Sequence, residues 1–393
     1  MRRYAKRHKG RASPLSGVSH RNPFIFGDVV TGENFADREK EVKELLSDLR
    51  GGTNVLLFSP RRYGKTSLMM EVLRRLDDRE FMKIYVDLFP VTSVARFAEV
   101  YASAVTKATG GKLEEAVGMI REHIPGFKLV VGPEGVPGVE VEIARTRKDI
   151  EEVLDGLYDL PERIAKKKGK EAIVVFDEFQ EIANLDGEEI ERGLRSRIQH
   201  HENAAYVFMG SRRHLLDRMF SDKNKPLYRI GKPFNLGRIP PEEFAAFITG
   251  RFVSSGVKVD KGTVEKVLGI TGAHPYYTQQ LCHELWSVCY EAGHAEGTDL
   301  ELALKGLMSN QGYAYTTMWE SVRGKQRSLL LAMAREGGSN IYSKEFIDRN
   351  DLSGPSTVQK AVRYLGEKGL VDREDGGYAV SDVFFREWLR RMG

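Results

Sequence analysis

The fold is decided by the stretch Phe58-Ser59-Pro60-Arg61-Arg62-Tyr63-Gly64-Lys65-Thr66-Ser67-Leu68. It follows a short apolar run, Val55–Phe58, that predicts a buried strand. A helical pattern comes after it, with Leu68, Met69, Val72, Leu73 and Leu76 on one side. A loop in this position turns successive backbone N–H groups toward one point, and the helix N-terminus behind it adds positive potential. The sequence therefore predicts a loop that binds phosphate groups.

Within this loop, Gly64-Lys65-Thr66 matches the core of the P-loop pattern G-x-x-x-x-G-K-[ST]. Lys65 is expected to reach the β- and γ-phosphate oxygens, and Thr66 to offer its hydroxyl to Mg²⁺. The pattern has glycine where this chain has Ser59, and serine still allows a tight turn if its φ stays negative. The predicted nucleotide-binding residues here are Ser59, Pro60, Arg61, Arg62, Tyr63, Gly64, Lys65, Thr66 and Ser67.

Two adjacent acids, Asp177 and Glu178, follow the apolar run Ile173–Phe176. If this run is a parallel strand, the acids lie at the same sheet edge as the P-loop. There Asp177 would hold Mg²⁺ together with Thr66, and Glu178 would orient or deprotonate the attacking water. The alternative is an ordinary strand whose terminal acids cap the next helix, and the upstream P-loop disfavours it. Hydrolysis, as opposed to binding alone, depends on Glu178.

Further candidates follow the apolar run Ala205–Met209. Ser211 could hydrogen-bond the γ-phosphate or the water as a sensor, or it could cap the next helix, and both interpretations stay open. Three arginines are candidates for stabilising transition-state charge, in this chain or from a neighbouring one. They are Arg212, Arg213 and Arg229, of which Arg229 is counted among the predicted catalytic residues.

Composition indicates a globular chain of two or three domains, because 393 residues with 41% apolar and 30% charged residues can bury real cores. No stretch approaches ~20 uncharged apolar residues, and the positive N-terminus lacks the apolar segment of a secretory signal. Only two cysteines occur, Cys282 and Cys289, which excludes a disulfide scaffold and a cysteine-based zinc site. We expect a cytoplasmic protein with no membrane partner and two buried thiols.

The net charge of +4 is unevenly distributed. Residues 1–21 contain seven basic residues and no acid, so residues 22–393 carry a net charge of −3. Residues 1–21 therefore form a basic tail, which we expect to be flexible. Such a tail could attract duplex DNA or another acidic surface, or it could serve only to keep the terminus soluble. Both interpretations stay open.

Strands alternate with helices over residues 22–240, which predicts an α/β domain with a mostly parallel sheet. An alternating pattern at about 127–143 predicts a β-hairpin inserted into that domain. The basic run Lys166–Lys168 is expected to end a helix, where it complements the helix dipole. Only helical patterns appear over 241–322, which predicts a helical lid domain.

Residues 323–393 predict three helices followed by a hairpin, an order similar to a winged-helix domain. Its third helix would present polar residues to a DNA major groove: Ser356, Thr357, Gln359, Lys360 and Arg363. The segment holds 13 basic and 10 acidic residues, which is far from a strongly basic footprint. DNA contact is slightly favoured over an intramolecular clamp that responds to the nucleotide state.

The sequence resembles the archaeal and prokaryotic P-loop ATPases related to AAA+ and STAND proteins, over most of residues 22–320. The resemblance rests on the P-loop and on four further segments. These are Asn22-Pro23-Phe24 with Val30, Gly32, Phe35, Arg38 and Glu39; Asp177-Glu178-Phe179-Gln180; Pro226-Leu227-Tyr228; and Thr271-Gly272-Ala273-His274-Pro275-Tyr276-Tyr277.

This resemblance implies ATP rather than GTP as the nucleotide. It implies that Val30, Phe35 and Arg38 lie near the adenine, and that His274 and Pro275 close over the nucleotide from the lid. From the residues alone, a histidine before proline is more typical of a helix start than of a ligand.

These patterns together predict a Mg²⁺-dependent ATPase that couples its nucleotide state to conformational change and acts on or with DNA through the winged helix. A nucleotide-gated DNA-binding switch with slow or no turnover is the first alternative. The second is an adaptor whose hairpin and winged helix recruit a protein partner.

Overall fold

A computed structural model describes residues 21–36, 38–109, 127–131, 137–141, 147–185, 187–374 and 376–392. Apart from Arg21, the predicted basic tail of residues 1–21 lies outside the described residues. The chain divides into two compact units. One comprises Asp28–Arg238, and the other comprises Ile239–Gly393 together with the residues up to Gly27.

The unit Asp28–Arg238 alternates helices and strands. In chain order its elements are a 3-10 helix at Gly32–Asn34, α1 (Glu39–Arg50), β1 (Val55–Phe58), α2 (Lys65–Arg75), β2 (Phe81–Asp87), α3 (Val94–Ala108), β3 (Phe127–Val131), β4 (Pro137–Val141), α4 (Arg147–Lys168), β5 (Glu171–Asp177), a 3-10 helix at Phe179–Asn184, α5 (Gly187–Ile198), β6 (Ala204–Gly210), α6 (Arg213–Ser221) and β7 (Lys232–Asn235).

Five of these strands form one parallel sheet in the order β2-β5-β6-β1-β7. The predicted parallel sheet is therefore confirmed. Because all five strands run the same way, the residues that follow β1, β5 and β6 emerge at one edge. The P-loop follows β1, the two acids end β5, and Ser211 follows β6. The topology alone thus brings these three segments to one place.

The sheet is buried on both faces. Alternate residues of β1 enter different cores: Val55 and Leu57 pack with residues of α1 and α2, whereas Leu56 and Phe58 pack with residues of α3 to α6. Strands covered on both sides need apolar side chains at every position. This explains why β1 reads as a continuous apolar run in the sequence.

The inserted hairpin is present as β3 and β4, paired antiparallel from Phe127 opposite Val141 to Val131 opposite Pro137. It forms a two-stranded sheet separate from the five-stranded one. The intervening loop, 132–136, lies outside the described residues. The basic run Lys166–Lys168 ends α4 as predicted, and Lys166 Nζ lies 2.8 Å from Glu162 Oε1.

The second unit is mainly helical. Its elements are α7 (Pro241–Ser254), β8 (Lys258–Val259), α8 (Lys261–Thr271), α9 (Pro275–Cys289), β9 (His294–Ala295), α10 (Gly297–Asn310), α11 (Gly312–Glu320), α12 (Lys325–Glu336), α13 (Lys344–Arg349), α14 (Pro355–Glu367), β10 (Val371–Glu374), β11 (Gly377–Val380) and α15 (Val383–Met392). Helices α12 to α14 and the hairpin β10–β11 reproduce the predicted winged-helix order. The sequence patterns missed α15 and the two-residue strands β8 and β9, which pair with each other.

The segment before Gly27 packs with this helical unit, although the sequence placed residues 22–240 in one domain. The Phe24 ring lies 4.7 Å from the Phe252 ring. Asn22 Nδ2 donates to the His283 carbonyl at 2.9 Å, and Arg251 Nη2 donates to the Pro23 carbonyl at 2.6 Å. These contacts join residues more than 200 positions apart, so no local pattern could predict them.

Helix α9 also contacts the last elements of the same unit. Tyr277 of α9 donates its hydroxyl to the Ser381 carbonyl at 3.1 Å. Both cysteines lie on α9, are buried and remain free thiols, as predicted. Across the described part of the chain, every helix is too short or too polar to cross a bilayer.

The first prediction concerns the core under the site. Phe176 is fully buried, with the rings of Tyr101 and Phe208 at 5.2 and 5.7 Å. Phe176→Ala leaves a cavity in this aromatic cluster and should destabilise the protein by about 3–5 kcal/mol, measured by urea unfolding. Phe89→Ala is the matched control, because Phe89 is 71% exposed and its loss should change stability little. Equal effects of the two substitutions would contradict the described core.

Candidate functional site

The P-loop turns sharply into α2 at Gly64. Gly64 has φ +83° and ψ 22°, the left-handed region that glycine adopts without strain. Helix α2 begins at Lys65, so the N–H groups of its first turn point toward the loop. Ser59 is buried and keeps a negative φ, the condition under which serine can stand in for glycine. The loop therefore has the backbone of an anion-binding turn.

The Arg38 side chain is hydrogen-bonded to the P-loop. This side chain is 2% exposed, and its Nη2 donates to the carbonyls of Tyr63 at 3.1 Å and Gly237 at 2.9 Å. Its Nη1 lies 3.1 Å from Glu41 Oε1. Arg38 therefore fixes the loop residue next to Gly64. Its predicted place near the adenine stays a prediction.

The segment before α1 is tied to α2 by two hydrogen bonds. The Val30 N–H donates to Ser67 Oγ at 3.1 Å, and the Gly32 N–H donates to Glu71 Oε2 at 2.9 Å. Phe35 is half-buried and packs against the core beneath α1 and α2. Val30 and Phe35 are thus held beside α2, the helix that follows the P-loop.

Four predicted residues meet at the sheet edge. Lys65 Nζ lies 3.1 Å from Asp177 Oδ1 and 2.8 Å from Glu178 Oε1. Thr66 Oγ1 donates to Asp177 Oδ2 at 3.0 Å. Lys65 and Asp177 are both buried, and a buried charge is stable only when it is paired. The ammonium and the two carboxylates therefore form one ion-pair cluster.

Glu178 is held by further donors. Gln180 Nε2 and Ser211 Oγ both donate to its Oε2, at 2.5 and 2.9 Å. Burial raises the pKa of Glu178, but the Lys65 charge and the hydrogen bonds outweigh burial, so this pKa lies below its ordinary value. The alternative that Ser211 caps the next helix is wrong, because the N-cap of α6 is Arg212. A sensor role for Ser211 stays a prediction.

The sequence analysis missed one residue of this cluster, Tyr85. Its hydroxyl donates to Asp177 Oδ2 at 2.5 Å, and burial with the nearby Asp177 charge raises its pKa far above the usual range. Tyr85 pairs in register with Val175, two positions before Asp177. The available signal was a hydroxyl-bearing residue two positions before the end of β2, which is meaningful only once the strand order is known.

The oxygen atoms at this edge suit a magnesium ion. Mg²⁺ prefers hard oxygen ligands such as carboxylates and hydroxyls, which Asp177 and Thr66 place 3.0 Å apart. Within the described residues, no group of three or more His, Cys, Asp and Glu side chains could hold a metal ion. At this edge, Thr66 and Asp177 are the residues whose oxygen atoms would hold such an ion.

The other predicted site residues have separate surroundings. The Arg229 guanidinium stacks over the Tyr228 ring at 5.1 Å, and the Arg229 N–H donates to the Phe220 carbonyl at 3.1 Å. His274 is the N-cap of α9 and Pro275 its first residue, which confirms the interpretation as a helix start. Arg212 is exposed, and the side chain of Arg213 lies outside the described part.

A second candidate site is a groove on the winged helix. A groove of about 560 Å³ between α14 and the hairpin is lined by Tyr342, Ser356, Gln359, Lys360, Val362, Arg363, Gly366, Val371, Arg373 and Tyr378. Four of the predicted DNA-contacting residues, Ser356, Gln359, Lys360 and Arg363, belong to it. Thr357 is half-buried and is not part of this lining.

Comparison with known proteins places this geometry in a family. A family model described as an ATPase domain predominantly from Archaea matches residues 35–281, well over half of the chain. The chain belongs to this archaeal ATPase family. A model described as a probable winged helix domain matches residues 313–391, which confirms the C-terminal prediction.

Relatives of this chain include two uncharacterized ATP-binding proteins. One from Methanocaldococcus jannaschii is 26% identical over 41% of the chain. One from Pyrococcus abyssi is 31% identical over 38% of the chain. In both cases the match covers 44% of the relative, so the chain spans less than half of the length of these curated relatives.

Solved structures show the same fold. The Walker-type ATPase of Pyrococcus abyssi matches 91% of the chain and 97% of its own length, with a TM-score of 0.60 and 17% identity. The ORC2 protein of Aeropyrum pernix, solved in ADPNP–ADP complexes, matches 92% of the chain and 95% of its own length, with a TM-score of 0.55 and 14% identity. At these identities the likeness is one of fold. The predicted P-loop fold is confirmed.

The second prediction concerns Glu71, which ties α2 to the segment before α1. Its side chain is 1% exposed, and hydrogen bonds, first of all from Arg74, lower its pKa from 4.5 to about 2. A lowered pKa adds stability above pH 4.5 that is lost as the pH falls toward 2. Glu71→Gln should therefore lower the melting temperature clearly at pH 7, and this difference should shrink below pH 4.5.

The control for this prediction is Glu265→Gln. Glu265 is exposed and pairs only loosely with Lys261 at 3.6 Å, so its substitution should have little effect at any pH. A Glu71→Gln difference that stayed constant from pH 7 to pH 3 would contradict the predicted titration of this carboxylate.

Proposed function

We propose that the protein is a Mg²⁺-dependent ATPase that converts ATP and water into ADP and phosphate. The observation that carries this proposal is the meeting of Lys65, Thr66, Asp177 and Glu178 at one sheet edge. Membership of the archaeal ATPase family supports it. A cation, a hydroxyl and two carboxylates beside an anion-binding loop are the groups that phosphoryl transfer needs.

Each residue has a role that follows from its position. The P-loop amides would surround the phosphates, and Lys65 would turn from the carboxylates to the β- and γ-phosphate oxygens. Thr66 and Asp177 would hold the metal. When bound, Mg²⁺ neutralises charge on the phosphate oxygens. Glu178 would take a proton from the water whose oxygen attacks the γ-phosphorus as the bond to the β,γ-bridging oxygen breaks.

The remaining residues complete the proposal. Ser211 would act as a sensor beside Glu178, Val30, Phe35 and Arg38 would serve the adenine, and Arg229 would stabilise transition-state charge. The helices of residues 241–322 would act as a lid, with His274 and Pro275 as candidates for nucleotide contact. These roles rest on the resemblance and on chemistry, and each of them presupposes that the protein hydrolyses ATP.

We propose DNA binding as a second function, because of the groove on the winged helix. Three cations, Lys360, Arg363 and Arg373, line it together with Tyr342 and Tyr378, and its lining contains no acid. Within the described residues, none of the three cations forms an ion pair. Unpaired cations on helix α14 and on the neighbouring strand β10 fit the phosphates and base edges of a duplex.

The third prediction tests hydrolysis. Glu178→Gln keeps the shape of the side chain but removes the base, so phosphate release should fall at least ~100-fold while ATP remains bound. The assay measures phosphate release and the retention of labelled ATP in the same samples. Glu171→Gln is the matched control, because Glu171 is exposed at the opposite end of the same strand. It should leave turnover unchanged.

Three outcomes separate the alternatives. Wild-type protein that binds ATP tightly without releasing phosphate supports the nucleotide-gated switch. Unchanged turnover in Glu178→Gln removes Glu178 from its proposed role. A protein partner lost when residues 127–143 are deleted, together with absent nucleotide binding, supports the adaptor.

The fourth prediction tests DNA. The double substitution Lys360→Ala and Arg363→Ala should weaken duplex binding and reduce the slope of log affinity against log salt by about 2, since each lysine or arginine on a phosphate accounts for about one unit. Lys344→Ala is the control, because Lys344 is exposed on α13 outside the groove. The measurement is filter binding across salt, with and without residues 1–21. No binding by the full chain at low salt refutes this function.

A further inference from the structure

Gln180 is a buried polar residue to which neither proposed function assigns a role. It lies two positions after Glu178 in the 3-10 helix Phe179–Asn184 and is 1% exposed. Its Nε2 donates to Glu178 Oε2 at 2.5 Å. Its Oε1 is buried and has no hydrogen-bond partner among the described residues. Since an unpaired buried carbonyl costs free energy, a role in the fold alone does not account for this amide.

Strand β6 ends beside Gln180, and its last residue leaves room for the Gln180 amide. Gly210 is the last residue of β6, and a Cβ added there would lie 2.0 Å from Gln180 Oε1. Any other residue at position 210 would push the amide out of its place. The next residue, Ser211, supplies the second donor to the same carboxylate oxygen. We call Gln180, Gly210 and Ser211 the carboxylate seat.

The two carboxylate oxygens of Glu178 have different hydrogen-bond partners. A carboxylate oxygen has two acceptor sites, and Oε2 uses both, for Gln180 and for Ser211. In the described part of the chain, Oε1 accepts a hydrogen bond from Lys65 alone, at 2.8 Å. Lys65 is the residue that would turn to the phosphates. When Lys65 turns away, the acceptor sites of Glu178 Oε1 become free. The acceptor sites of Oε2 remain occupied by Gln180 and Ser211.

We propose that Gln180 is a positioning residue that, together with Ser211, anchors Oε2 of Glu178 and leaves Oε1 to accept the proton of the attacking water. This inference rests on the proposed ATPase function. The backbone of Glu178, at φ +52°, fixes the start of its side chain, and the seat fixes the far end. Gln180 touches neither the nucleotide loop nor the metal ligands in any described hydrogen bond, so its effect passes through Glu178.

The fifth prediction follows from this separation. Gln180→Ala should lower kcat roughly 10- to 100-fold, the effect of losing one hydrogen bond to a charged group. The KM for ATP and the Kd of a non-hydrolysable ATP analogue should change less than about twofold, because no P-loop contact is lost. A purely structural role would instead change binding and turnover together with the melting temperature.

A double-mutant cycle tests the contact between Gly210 and Gln180. Gly210→Ala should lower kcat by displacing the Gln180 amide. Adding Gly210→Ala to Gln180→Ala should then cost little more, because both substitutions remove the same contact. Gly250→Ala is the matched control, because a Cβ added at Gly250 meets nothing within 4 Å. It should leave kcat unchanged.

A structure of the wild-type protein with Mg²⁺ and the analogue gives a readout that does not depend on turnover. The expected result is that Oε2 still accepts from Gln180 and Ser211, whereas Lys65 has left Oε1. Oε2 outside the seat in that structure overturns the inference, whether or not the Gln180→Ala protein folds.

Failure of the inference and failure of the proposed function can be told apart. If Glu178→Gln is inactive but Gln180→Ala keeps the wild-type kcat, the inference alone is refuted. If Glu178→Gln turns over ATP like the wild type, the proposed role of Glu178 fails, and the inference fails with it. A loss of turnover in Glu178→Gln together with the predicted fall of kcat in Gln180→Ala, with nucleotide affinity retained in both variants, supports both.

Discussion

The structure depends on one buried interaction, the Lys65 ammonium between the carboxylates of Asp177 and Glu178. Removing any one of these charges from water costs several kcal/mol unless its partners are in place. The three residues come from two strand ends separated by a third strand, so the pairing requires the complete order of β5, β6 and β1. The two acids therefore pair with the Lys65 ammonium and hold it at the edge of the sheet.

Local patterns predicted a large part of the fold and the site. The P-loop and the pair Asp177-Glu178 could be found because each is a contiguous motif next to an apolar strand. The winged helix could be predicted because its helices and its hairpin show the spacing of apolar residues that is usual for helices and for strands. Tyr85, Gln180 and Gly210 could not be assigned roles, because their importance lies in which strand stands beside which. Gln180 even occurs in the family motif, but only the folded chain shows that its amide donates to Glu178.

The winged helix shows why a net charge can mislead. Residues 323–393 are almost balanced, with 13 basic and 10 acidic residues. Several of the acids are taken up by cations outside the groove, in the pairs Asp351–Lys325, Glu336–Arg349 and Glu387–Arg390. The cations that line the groove are thus left without an acidic partner among the described residues. Where the charges pair, rather than how many there are, determines which face can attract a polyanion.

The backbone of Glu178 has a consequence for how this protein can change over evolutionary time. A residue with φ +52° and ψ 42° sits in a region where glycine and asparagine are comfortable and a glutamate is strained by on the order of 1 kcal/mol. Glycine or asparagine at this position would relieve that strain, but either would leave the buried Lys65 ammonium with one partner fewer. The backbone thus favours one group of residues and the ion pair another, which narrows the range of substitutions that the position tolerates without loss of stability.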